Sequence, residues 1–95
     1  MGGMAAESIV NLPVQMLSLV DRDGRQTPVR FRYEDEEHRI FQVKIVRILS
    51  REKISLAGVR EIRVFCAAAF GERERLLELR YGVDSQRWRI FRSLS

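Results

Sequence analysis

The amino-acid sequence predicts an all-β fold with little helix: a small antiparallel meander barrel or strongly curled sheet of five or six strands, SH3-like or OB-like in kind. Three observations carry this. Residues 27–34 alternate without a break, Val29, Phe31 and Tyr33 against Arg30, Arg32 and Glu34, which is the period of a half-buried strand. Residues 73–94 lay out as a hairpin with one oily face and one charged face. Turn residues divide the remainder into further short strands, and closing such a sheet removes its exposed edges. A two-layer sandwich is the alternative arrangement.

Taken in order, residues 1–13 form a flexible lead in which Met4 offers a second start. A single β domain then occupies residues 14–95. Pro13 marks the beginning of the first strand, residues 14–20, with Leu17 and Leu19 facing inward. In the turn at residues 21–24, Gly24 takes the left-handed conformation at no steric cost. The second strand is the alternating segment. Its Pro28 donates no ladder hydrogen bond, which places that end at an edge or at a strand start. The acidic turn Asp35-Glu36-Glu37 leads through His38 to a third strand at about residues 38–49, with Phe41, Val43 and Ile45 on one face. Ile40, Val46, Ile48 and Leu49 break that alternation and predict a bulge or bend near Val46.

Residues 50–61 read as the one long connection. A short helical turn around residues 52–56, ended by Gly58, would set Ile54, Leu56 and Val59 over one end of the core. The fourth strand, residues 60–70, places Ile62, Val64, Cys66 and Ala68 on a common face. In the last hairpin, a loop of Gly82, Val83, Asp84 and Ser85 sets Leu79 opposite Trp88 and Leu77 opposite Ile90. Glu78 then meets Arg89, and Arg80 meets Arg87, on the charged face. A hairpin alone is marginal in water, so its oily face requires other strands to cover it.

Composition narrows the function. A 45% hydrophobic content excludes a disordered chain. The apolar run that ends in Ala67-Ala68-Ala69-Phe70 is far short of the roughly 20 residues of a membrane span. No basic segment followed by a long apolar region marks a signal peptide, so the cytoplasm is the expected location. Cys66 is the only cysteine, which excludes an intrachain disulfide and suits a reducing compartment. Its strand context makes it a small core hydrophobe and not a nucleophile.

Catalytic patterns are missing. A lone histidine, His38, excludes a histidine-rich metal site, and its acidic neighbours read as a solvated turn. Neither a nucleophile elbow nor a phosphate-cradling glycine loop occurs. Asp21-x-Asp23-Gly24 begins like a calcium loop but lacks the closing glutamate. The expectation is a non-enzymatic protein without cofactor or metal.

The segments VRFRYEDEEHRI (residues 29–40), KIVRIL (44–49) and LLELRYGVDSQRWRIF (76–91) resemble a group of short bacterial all-β proteins of no known activity. In that group a Phe-Arg-aromatic-Glu segment precedes a Trp-containing C-terminal hairpin. The resemblance covers residues 14–94 and implies a shared fold and no catalytic motif.

The net charge is +4 and the pI about 10.0, with 15 arginines and only two lysines. Arginine suits phosphate because its guanidinium fork binds two oxygens at once. Arg30, Arg32, Lys44, Arg80, Arg87 and Arg89 all point away from the expected core. Side by side they would form a basic surface for nucleic acid or another polyanion. A solvated, ion-paired outer face competes with that reading, since 13 acidic residues are interleaved with the basic ones. The rival function is protein–protein association or homodimerisation, through an open sheet edge or an apolar patch of Phe65, Phe70, Leu76 and Phe91.

Overall fold

Six antiparallel strands follow one another around a closed barrel in the computed structural model, which describes residues 10–95. They are β1 (Val10–Val20), β2 (Gln26–Glu34), β3 (Ile40–Leu56), β4 (Val59–Phe70), β5 (Arg73–Gly82) and β6 (Trp88–Ser93). Each strand pairs with the next, and β1 closes the ring against β6. No helix of the described residues is long and apolar enough to cross a membrane.

One face of every strand fills the interior. Phe31 and Tyr33 come from β2, Val43 and Ile45 from β3, Leu77, Leu79 and Tyr81 from β5, and Trp88 and Ile90 from β6. The small side chains of Cys66 and Ala68 on β4 leave room for the large ones opposite. Burial pushes the Cys66 thiol up to about 12, so at neutral pH it is a protonated hydrophobe. The two faces of the C-terminal hairpin fall as expected, with Trp88 and Ile90 inward.

The expected lead is shorter than residues 1–13. Its part before residue 10 lies outside the described residues, and Val10 to Pro13 already belong to β1, paired with β6 at Val10–Arg92, Leu12–Ile90 and Pro13–Arg89. From Gln15 onward β1 pairs with β2 instead. Pro13 therefore has a strand on one side only, where a missing N–H is tolerated.

Leu17 and Leu19 do not face inward; they are 53% and 67% exposed, and Leu12, Val14 and Met16 pack on the core in their place. Both parities of this segment carry aliphatic side chains, so alternation alone could not choose between them. Pairing with β6 fixes the parity, and a register shift at Leu17/Ser18 follows.

The connection expected over residues 50–61 is strand throughout. β3 continues to Leu56 and turns into β4 through Ala57 and Gly58 alone, both with positive φ (51° and 81°). This is the conformation of a primed two-residue hairpin turn. Leu56 and Val59 sit on its exposed tip and do not cap the core. The bulge predicted near Val46 is present: the β3–β4 ladder shifts between Ile45 and Arg47 and again between Ile48 and Ser50. Two bulges let β3 bend around the barrel, which is why its side-chain alternation is irregular.

In the last hairpin the pairing slips by two from the expected register. Tyr81 lies opposite Trp88, Arg80 opposite Arg89 and Leu79 opposite Ile90. The loop is longer because Gln86, in the left-handed conformation, donates its N–H to the Gly82 carbonyl (2.8 Å), while Gly82 donates to Arg87 (2.9 Å). A Cβ at Gly82 would meet the Ser85 hydroxyl at 2.4 Å, so a larger residue there would have to push that side chain aside. A slip of two preserves side-chain parity, which leaves both faces unchanged.

Candidate nucleic-acid interface

The six basic residues singled out from the sequence do not form one surface. Around the ring, β2–β3 and β5–β6 lie on opposite sides, and the cations divide between them. Each group meets different chemistry.

On the β4–β5–β6 side the arginines are consumed by carboxylates. Glu78 accepts hydrogen bonds from Arg80 Nε (2.9 Å) through one oxygen and from Arg92 Nε (2.8 Å) through the other. Glu61 receives Arg89 Nη1 at 2.9 Å and Arg80 Nη1 at 3.4 Å. Arg89 also donates to Asn11 Oδ1 at 3.1 Å. The Arg80 guanidinium lies 3.7 Å from the Phe91 ring centroid. Arg80 and Arg89 are like charges directly across the ladder, and the shared Glu61 carboxylate offsets their repulsion.

The network shifts both acids. Hydrogen bonds from Arg89, then Arg80, hold the Glu61 carboxyl below its usual range. Burial alone would raise Glu78, but the hydrogen bonds from Arg92 and Arg80 outweigh it and leave that carboxyl low as well. Glu78 is fully covered although it faces outward, because the arginines that neutralise it also roof it. Phe65 and Phe91 are half-buried beneath Arg63 and Arg80, and Phe70 packs against the core beneath Arg75. The apolar patch expected from Phe65, Phe70, Leu76 and Phe91 is therefore roofed by guanidinium groups, with Leu76 the exposed member.

On the β1–β2–β3 side the cations stay available. Arg30 sits directly across from Lys44, and Arg32 from Gln42. Arg32 donates to Gln15 Oε1 from Nε (3.1 Å) and Nη2 (2.7 Å), a neutral partner that orients the guanidinium without cancelling its charge. Among the described residues Arg30, Arg32 and Lys44 make no ion pair, and all three are exposed. Arg87 is apart from both groups, exposed in the β5–β6 loop.

Sequence reasoning missed a groove beside this surface, about 660 Å³ in volume, at the mouth of the barrel beyond β3. The β3–β4 ladder runs only from Lys44–Ala69 onward, so β4 does not pair with the start of β3, and Phe41 there stays only half-buried. Tyr33, Phe41 and Phe70 line the groove, with Arg73 and Arg75 at its rim. The Tyr33 and Phe41 rings stack, centroids 5.1 Å apart and planes inclined by 17°. Burial, helped by Asp35, holds the Tyr33 hydroxyl above its usual range, and Arg75 partly counters it. No periodicity signals such a groove, because it arises from where β4 ends.

The remaining candidates are turns. Asp21 Oδ1 accepts the backbone N–H groups of Asp23 and Arg25 (both 2.9 Å), and Asp35 Oδ1 those of Glu37 and Arg39 (both 2.9 Å). These carboxylates close turns in the manner of Asx motifs. His38 Nδ1 lies 2.6 Å from Glu34 Oε2, in the same turn. No cluster of three or more metal-ligating side chains occurs among the described residues. Comparisons of the chain with family models, with curated proteins and with solved structures gave no match.

Proposed function

We propose that the protein is a non-enzymatic binding module of the cytoplasm that takes nucleic acid on the outer face of β1–β2–β3. One observation carries this reading: Arg30, Arg32 and Lys44 adjoin one another on exposed strand positions with no carboxylate to neutralise them. Three such cations attract a phosphate backbone and release its counterions on binding. The interface proposed from the sequence thus reduces to its β2–β3 half. Arg80 and Arg89 drop out because their charge is already compensated, and Arg87 because it lies elsewhere.

The association reading is weaker. From Ile45 onward β3 pairs only with β4, which leaves an open edge. That edge is bulged twice and carries Arg47, Arg51 and Lys53, devices that discourage strand addition. Arg51 also spans the seam by donating to the Gln26 carbonyl of β2.

Filter binding with a single-stranded oligonucleotide tests the proposal. Three phosphate contacts give a slope of about −2 in log affinity against log salt. Replacing Arg30, Arg32 and Lys44 together with Glu abolishes retention at low salt. The same charge change at Arg87 leaves it in place. Equal binding by the triple variant and the parent would overturn the reading.

A further inference from the structure

We infer that the groove lined by Tyr33, Phe41 and Phe70 accepts an unpaired base, so that the module takes a single strand in preference to a duplex. This rests on the proposed phosphate-binding role of Arg30, Arg32 and Lys44, and gives it a substrate class.

The two sites are continuous. Gln42 lines the aromatic groove on one side and, on the other, the cleft holding Arg30, Arg32 and Gln15. Arg32 on β2 lies directly across from Gln42 on β3, and the groove opens just beyond β3. Arg32 is thus about two strand spacings, roughly 10 Å, from the groove. A short stretch of nucleic-acid backbone covers that span.

The groove's chemistry suits a base better than a phosphate alone. Phe41 and Phe70 are half-buried and keep part of their ring surface at a barrel mouth, where ligand sites recur, with the guanidinium groups of Arg39 and Arg75 lying 5.8 and 5.3 Å from their ring centroids. Tyr33 lines the groove, and its hydroxyl is a group there able to address a base edge. Arg73 at the rim is exposed and makes no ion pair among the described residues. It provides a phosphate anchor on the far side of the base. A duplex keeps its bases stacked inside and cannot fill this opening, so selectivity for single strands follows from shape.

Fluorescence anisotropy with labelled ten-residue oligothymidine, an abasic strand of equal length and a duplex separates the outcomes. Stacking of one base makes the oligothymidine bind about tenfold tighter than the abasic strand. The duplex binds no better than the abasic strand. Phe41→Leu, checked for folding by its urea transition, brings the ratio of oligothymidine to abasic affinity close to one. Should that variant fail to fold, the comparison of the three probes on the parent protein still decides. Equal affinity for the oligothymidine and abasic strands, with both lost in the Arg30, Arg32 and Lys44 triple Glu variant, overturns the groove and leaves the basic face standing. Absence of binding to all three probes at low salt overturns both.

Discussion

The two outer faces of this barrel are built from the same residue type and do opposite things with it. On β4–β5–β6, Arg80, Arg89 and Arg92 share Glu61 and Glu78, roof an aromatic ring and become part of the structure. On β1–β2–β3, Arg30 and Lys44 face each other across the ladder, and Arg32 beside them bonds only a neutral glutamine. A count of arginines cannot separate the two. What separates them is whether a carboxylate stands on the neighbouring strand at the matching register. A cation that already has such a partner gains little from a phosphate; one without it gains the full interaction.

The sharpest way to break this comparison is Glu78→Ala. The carboxylate is fully covered, and its loss strips Arg92 of its partner and leaves the 8% exposed Arg80 with Glu61 alone. A covered charge that loses its partner is destabilising, here by about 3 kcal/mol in urea unfolding. A loss within about 0.5 kcal/mol, the range of ordinary surface substitutions, would mean that the network is decoration and that the two faces differ less than their geometry says.

Acid titration gives a second, smaller effect on the same face. Glu61 and Glu78 both hold their protons less tightly in the folded chain than the value of 4.5 usual for the unfolded one. As pH falls through 4.5, the unfolded chain takes up protons first, and stability drops until the folded carboxyls are protonated too. Their contribution is whole above that pH and gone once pH has passed below the folded values. Urea midpoints measured from neutral pH downward should show this decline. It should shrink in Glu61→Gln and Glu78→Gln variants, whose side chains no longer titrate.

How far the sequence reveals this difference depends on which contacts are local. The strand parity of β2, β5 and β6 was legible because Phe31, Tyr33, Leu77, Leu79, Trp88 and Ile90 are all large, and most of their alternate neighbours are charged. Parity was not legible in β1, where Met16 and Leu17 compete, nor in β3, whose two bulges scramble alternation. The long β3–β4 hairpin was hidden because Ala57-Gly58 lacks the Asn-Gly or Asp-Gly that announces such a turn. For the candidate site, outward orientation could be read from each strand. The pairing of Glu78 with Arg92 and of Glu61 with Arg89 could not, because it depends on a two-residue register slip, on the bulge between Glu78 and Leu79 that adds a third, and on β4 as a neighbour. That missing information is what divided one supposed basic surface into two.

The smallest expected effects lie on the open face, and they are the ones that tie it to function. Arg30→Ala and Lys44→Ala remove exposed side chains that make no ion pair among the described residues, so each should change stability by no more than about 0.5 kcal/mol. Each should instead lower the salt slope of oligonucleotide binding by about 0.7, one phosphate contact's share. The inverse pattern belongs to Arg89→Ala, which loses its contacts to Glu61 and Asn11, destabilising the fold while leaving the slope alone. Salt dependence and stability thus read the two faces independently. A variant of Lys44 that moved stability but not the slope would place that lysine with the structural arginines and leave the open face without its central charge.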